Sequence, residues 1–463
     1  MNTAIFIDFG STFTKSAVVS LDSGELIFNT KTPSTVKNDA RIGLEICLGE
    51  IKNYIGSDNL LKSLRFASSS AAGGLRMVVI GLTPSLSIMA GKNAAYGAGA
   101  KVIKAFSYKL TDNDLEEIIK INPEIILLCG GYEGGNASWT LHNARKIAGC
   151  SYIHMPVIYA GNSSVSDEVR FIFKKEYKEC MIAANIIPDT GLLNVEPAVE
   201  TIRDIFMKRI VNMKGFDKVK SYVGNVVMPT PAAVLAAGKL FAKGTERESG
   251  TGNLMIVDIG GATTDIHSFA ESKNTGCIRV IGSAEPYAKR TVEGDLGVRE
   301  SCNSIIEASG ISRSVKELEM TELEIRNAVN QRTQNTGILA SSIQEQKFDR
   351  FLAMESVRIA TRRHAGKIFS GYGGGVQMVQ QGKDLRTIEY IIGTGGPIIN
   401  SVDPKCILEN SLCSQENEPE VLLPQSAHFL LDKEYILYAV GLLANLDENI
   451  ALKLLKSNLI KID

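Results

Sequence analysis

Two acidic glycine turns constrain this chain more than any other feature. The first lies in AIFIDFGSTFTKSAVV (Ala4–Val19), where an apolar run ends on Asp8, turns through Gly10, Ser11 and Thr12, and resumes after Thr14 and Lys15. The second lies in NLMIVDIGGATTDIHSF (Asn253–Phe269) and repeats that order with Asp258, Gly260, Gly261, Thr263, Thr264 and Asp265. An apolar run predicts a buried strand, and glycine permits a tight turn. Hydroxyls and backbone N–H groups at such a tip can wrap phosphate oxygens, with Lys15 neutralising charge. An aspartate beside the tip suits a water-mediated hold on Mg²⁺, an ion that keeps several waters and takes few carboxylates. One such loop is also the sequence of an ordinary β-turn. Two in one chain can hold one Mg²⁺–nucleotide between them, with Asp8 and Asp258 as the metal carboxylates.

A third stretch, YIIGTGGPIIN, reads as a strand followed by Gly393, Thr394, Gly395 and Gly396, with a helix starting at Pro397. Glycines there let a backbone approach a flat ligand, the shape expected for the adenosine end of an ATP or ADP site. No GxxxxGK[ST] occurs, so this is not a P-loop. For hydrolysis, Asp8, Asp258 and Asp265 are all candidates to orient the attacking water.

Around these motifs the chain alternates strand-like and helix-length segments, the pattern of an α/β protein. Residues 1–72 read as a hairpin-like meander, with turn residues at Asp22-Ser23-Gly24, followed by a helix in ARIGLEICLGEIKNYIG. From Met77 to Ile187, continuous apolar strands with short crossovers argue for a parallel sheet covered on both faces, a self-contained, flavodoxin-like insertion. Its glycines Gly130, Gly131, Gly134 and Gly135 stand where such sheets open a crevice, and Thr111 with Asp114 predicts a helix cap. With fifty Lys+Arg facing fifty-one Asp+Glu, nothing suggests a nucleic-acid footprint or a polybasic membrane patch, and binding to polyanions would have to be local. The eight cysteines show neither zinc nor iron–sulfur spacing and read as reduced thiols. Asp8 interrupts the N-terminal apolar run and no apolar stretch approaches the ~20 residues of a span, so a cytoplasmic location is expected. Trp139 and the five histidines read as packing residues. Arg313–Gln346 reads as an exposed helical lid and Arg362–Arg363 as a solvated helix face.

The ordered set of phosphate loop, connecting helix (MPTPAAVLAAGKL), phosphate loop, adenosine loop and a last helix (YAVGLLANL) resembles the actin-like ATPase superfamily. That resemblance implies a two-lobed actin-like (ribonuclease H-like) α/β fold. Residues 1–72 and 191–240 would form the first lobe and 241–463 the second, with 73–190 an inserted flavodoxin-like (Rossmann-like) parallel α/β domain. Within the superfamily, FIDFGSTFTK, ILLCGGYEGGN, VEGDLGVRES, HAGKIFSGYGGG and GKDLRTIEYIIGTGGP resemble the MutL/GlmL family of glutamate (methylaspartate) mutase accessory proteins. The resemblance implies a Mg²⁺-dependent ATPase acting as a chaperone-like reactivating factor, with the subunits of an adenosylcobalamin-dependent mutase as partners and homo-oligomers open. The insert resembles the cobalamin-binding subunit of such mutases, although GLTPSLSIMAG lacks the histidine of a cobalt-ligating motif. Beside a pure assembly role without hydrolysis, two further alternatives stay open. One is a small-molecule kinase, with Glu196, Glu285 or Asp295 as base. The other is an ATP-dependent electron-transfer activator of the 2-hydroxyacyl-CoA dehydratase type.

Overall fold

The computed structural model describes residues 2–10, 12–36, 38–70, 75–210, 216–223, 226–271, 278–282, 284–370, 378–413 and 418–462. The chain divides into two units, Met1–Val234 with Gly282–Pro286 and Leu235–Ile281 with Tyr287–Asp463.

In the first unit, strands Thr3–Phe9, Phe13–Ser20 and Leu26–Pro33 form the antiparallel meander. Leu64–Ser69 and then Val226–Pro229 add to its other side in parallel. Thr3–Phe9 is central and buried throughout, which is why its stretch Ala4 to Ile7 is continuously apolar rather than alternating. Helix Ala40–Ile55 covers the sheet through Leu44, Cys47 and Ile51; Asp39 caps its start and Gly56, at φ 82°, ends it.

The second unit repeats this sheet. Ala288–Glu293, Thr264–Phe269 and Leu254–Ile259 are antiparallel neighbours, and Tyr390–Thr394 and His428–Leu431 follow in parallel. Ile460–Lys461 adds an antiparallel edge. The same five-strand order and the same directions occur in both units, and this repeated mixed sheet is the actin-like, ribonuclease H-like architecture.

The insert is a five-stranded parallel sheet in the order Lys101–Ser107, Arg76–Gly81, Ile125–Gly130, Val157–Gly161, Cys180–Ile182. Numbered along the chain this is 2-1-3-4-5, the flavodoxin-type order. Thr111 and Asp114 form a complete capping box on helix Asp112–Ile121. The sheet is not self-contained, however. Val78, Ile80, Ile126 and Leu128 pack with Phe106, Ala144 and Phe173 on one face. The alternate residues Met77, Val79, Leu127 and Cys129 join one core with Ile5, Ile7, Leu44, Ala198 and Ile202. That shared core is why insert and first lobe form one compact unit. The division to the next unit falls between Val234 and Leu235, six residues earlier in helix Thr230–Lys243 than the expected boundary at 240. At the switch point between Arg76–Gly81 and Ile125–Gly130, Gly130 adopts φ 120° and its absent Cβ makes room for Leu82. Leu82 packs where an open crevice was expected.

Candidate functional site

Both acidic turns fold as the same hairpin. Asp8 pairs across the strands with Lys15, and Asp258 with Asp265. Each tip is closed by one backbone bond, from Gly10 N–H to the Phe13 carbonyl at 3.0 Å and from Gly260 N–H to the Thr263 carbonyl at 2.8 Å. The shared closure explains the shared spacing. A Cβ on Gly10 would sit 2.6 Å from that Phe13 oxygen. Ser11 lies outside the described residues; Thr12 is exposed at the tip and Thr14 is buried.

Asp8 is only 2% exposed. The Ser68 hydroxyl donates to its Oδ1 at 3.2 Å, the Thr230 hydroxyl donates to the same oxygen, and Lys15 Nζ stands 3.9 Å from Oδ2. Burial pushes the Asp8 carboxyl above its usual range, against the opposing pull of Lys15 and the two hydroxyls. Ser68 lies beside Asp8 on the parallel strand Leu64–Ser69 and Thr230 begins the connecting helix, so one oxygen is held from two other elements of the fold.

The second hairpin is held by backbone. The Val298 N–H donates to the Gly260 carbonyl at 3.2 Å, and the Arg299 and Glu300 N–H groups donate to the Gly261 carbonyl at 2.9 Å each. Thr264 Oγ1 donates to the Leu296 carbonyl at 2.7 Å. Gly297 lies so close that a Cβ there would meet the Ala262 carbonyl carbon at 2.2 Å. In a trans peptide the N–H points opposite the C=O. The amides of Gly261 and Ala262 therefore face away from this brace, and neither N–H has a partner among the described residues. Paired outward amides of this kind form an anion-binding concavity. In the first hairpin Ser34 performs the corresponding task, its hydroxyl donating to the Gly10 carbonyl at 2.7 Å and its N–H to the Thr12 carbonyl at 2.8 Å.

Asp265 is committed elsewhere. Arg290 donates to its Oδ1 from Nε at 2.9 Å and Nη2 at 2.5 Å, and Thr263 Oγ1 donates to Oδ2 at 3.1 Å. Asp295, a candidate kinase base, is gripped by Arg363, which also reaches Glu293.

The Gly-Thr-Gly-Gly turn closes onto the second hairpin strand. Thr394 is the parallel neighbour of Asp258. Gly395 adopts φ 92°, and a Cβ on it would stand 2.2 Å from the Ile259 carbonyl oxygen and 2.8 Å from Asp258 Oδ1. Gly393 is packed against Ile398 and Leu408. Pro397 lies in the first turn of the short helix Gly396–Ile399. Two residues near it escaped the sequence reading. Asp432, 1% exposed, accepts from Thr394 Oγ1 at 3.0 Å and from the Ile436 N–H at 2.8 Å. Tyr435, in left-handed backbone at φ 55°, brings its hydroxyl to 3.3 Å from where a Gly396 Cβ would stand. Asp432 carried a readable signal, an aspartate ending the apolar run HFLL like Asp8 and Asp258. The brace at residues 296–300 carried none, because it acts through main-chain atoms.

The residues fit a hydrated divalent cation better than a bare one. Asp8 Oδ1 is taken by two hydroxyls, whereas Oδ2 faces the side on which Gly10 has no Cβ, 3.8 Å from where one would be. Among the described residues no group of three or more His, Cys, Asp or Glu is placed to hold a metal directly. The seven described cysteines are free thiols, and no helix among the described residues is long and apolar enough to cross a membrane.

Solved structures overlap this chain loosely. The activator of 2-hydroxyisocaproyl-CoA dehydratase from Clostridium difficile, with bound ADPNP, is 9% identical, with 98% of this chain and 97% of that one covered at a TM-score of 0.32. Xylulose kinase from Bifidobacterium adolescentis is 12% identical, with 98% and 93% covered, also at 0.32. A family model described as MutL protein matches residues 4–459. Protein MutL of Clostridium tetanomorphum is 40% identical over 464 residues, covering 100% of both chains. By sequence across its whole length, this chain belongs to the MutL protein family.

Proposed function

We propose that this protein is an ATP-dependent accessory factor for an adenosylcobalamin-dependent carbon-skeleton mutase of the glutamate mutase type. In this reading ATP binding and hydrolysis serve to free the mutase of damaged cobalamin. The observation that carries it is the duplicated hairpin, built twice with a strand-end carboxylate, the same backbone closure and carbonyls braced from behind. Preorganised N–H donors need no reorientation when an anion arrives, which is what makes such a tip a phosphate cradle rather than a turn. Thr12 adds a hydroxyl at the first tip, and Lys15 adds a positive charge beside Asp8.

Asp8 and Asp258 would hold Mg²⁺ through its waters, and the ion would supply charge neutralisation at the phosphates. With Asp265 bound to Arg290, orientation of the attacking water falls to Asp8 or Asp258. Gly393 to Gly396 accept the adenosine, with the Tyr435 phenol at the edge of that turn. The 2-1-3-4-5 sheet of the insert supports reading it as a look-alike of a cobalamin-binding subunit, one that docks on the mutase without ligating cobalt.

The test incubates a mutase carrying inactivated cobalamin with this protein, with and without ATP–Mg²⁺, and measures activity after fresh coenzyme is added. Recovery is expected only with hydrolysable ATP. Equal recovery without nucleotide, or a pure protein that binds no ATP, refutes the reading.

A further inference from the structure

Arg299 belongs to two structures at once. Its backbone N–H donates to the Gly261 carbonyl at the hairpin tip, and its Cβ lies 3.6 Å from where a Gly261 Cβ would stand. Its side chain runs the other way, with Nη2 donating to Asp349 Oδ2 at 2.7 Å and Nη1 to Asp349 Oδ1 at 3.4 Å. Nη2 also donates to the Ile338 carbonyl at 3.3 Å.

Asp349 lies on helix Ile343–His364 and takes a second arginine. Arg332, on helix Glu322–Gln334 and 2% exposed, donates from Nε to Asp349 Oδ1 at 2.6 Å. Arg332 is fixed in turn by the Ala328 and Glu345 carbonyls and by the Phe348 ring, 4.5 Å from its guanidinium. One carboxylate between two arginines, one of them buried, is a stiff junction, because both guanidiniums depend on the same carboxylate for their counter-charge. Residues 335–342, which join the two helices, are strung across it: Ile338 is held by Arg299, and the next residue, Leu339, is 83% exposed.

We propose that Arg299 is a positioning residue that ties the amide tip of the second hairpin to the 335–342 loop, so that a phosphate at the tip is felt at Leu339. This rests on the phosphate-cradle reading. A peptide group is rigid and planar, so an anion pulling on the Ala262 N–H tilts the Gly261 carbonyl joined to it, and that carbonyl is held by Arg299. The tilt passes to a guanidinium whose other end is locked at Asp349. Leu339, 83% exposed at the end of this linkage, reports the tip's state to whatever binds there.

Hydrogen exchange on the full-length protein, with and without AMP-PNP–Mg²⁺, tests the linkage. In the parent, nucleotide should slow exchange within 335–342 by about fivefold or more, the lower edge of ordinary site-to-site coupling. In Asp349→Asn and in Arg299→Lys, both conservative in size, that slowing should vanish while nucleotide affinity falls by less than about tenfold. A structural role alone would not separate these two readouts. A parent that binds nucleotide without change in 335–342, or variants that slow as the parent does, overturns the linkage and leaves the cradle standing. A parent that binds no nucleotide overturns both.

Discussion

Asp8 carries opposite demands in one carboxylate. Burial penalises its charge, yet Ser68, Thr230 and Lys15 are arranged to favour it. Asp8→Asn keeps an acceptor for the two hydroxyls and removes the penalised charge, so the unfolding free energy from urea titration should hold or rise, by up to about 1 kcal/mol. Hydrolysis should fall by about 100-fold or more, the scale of losing one preorganised electrostatic group. ATP turnover and unfolding measured on one preparation separate the two effects, and an Asp8→Asn protein that turns over ATP like its parent removes Asp8 from the site. Gly395→Ala makes the complementary case. Its φ of 92° and the 2.2 Å approach to the Ile259 oxygen leave no room for a methyl group. Nucleotide binding should be lost, and stability should drop by about 1–3 kcal/mol from the strained backbone.

Elements were far more legible than their contacts. The meander, the capped helix at Thr111 and the parallel sheet of the insert follow from apolar periodicity and turn residues, which act locally. Leu82 filling the switch point, Ser34 and residues 296–300 bracing the hairpins, and Arg290 capturing Asp265 depend on segments far apart in sequence, and no local pattern announces them. Gly238 on the connecting helix shows the difference. Its composition says only that small residues cluster there, whereas in the structure a Cβ would stand 2.4 Å from two ring carbons of Phe269 and 2.8 Å from Ile256 Cδ1. The helix lies on the sheet through this gap, so Gly238→Ala should destabilise by about 1–3 kcal/mol despite alanine's better helix propensity. A urea midpoint for Gly238→Ala at or above that of the parent would show that the ring can move aside.

The two units repeat one sheet but bury different titratable groups, and acid should separate them. In the second unit His267 and His364 are buried neutral. Burial pushes both well below the usual histidine range, reinforced by Arg290 at the first and by Lys289, Lys383 and His267 at the second. The unfolded chain takes up those protons near pH 6.5 and the folded unit does not, so folding loses up to about 1.4 kcal/mol per histidine for each pH unit below that. Glu293 in the same unit works the other way, its carboxyl raised by burial, but it is one group against two. In the first unit Asp8 is raised, so the folded state binds that proton more readily and gains stability as the pH falls through its folded value. The only tryptophan, Trp139, lies in the first unit, 39% exposed with its ring edge-on to Tyr108, and reports that unit alone. Between about pH 7.5 and 5.5, circular dichroism should show one unfolding transition moving down by up to about 3 kcal/mol while the Trp139 fluorescence transition stays nearly fixed. Two probes that shift together would mean that the units unfold as one, or that the histidines are not what acid attacks; in His364→Gln, which abolishes one of the two proton sites, a shared transition with flattened pH dependence means the first and an unchanged one the second.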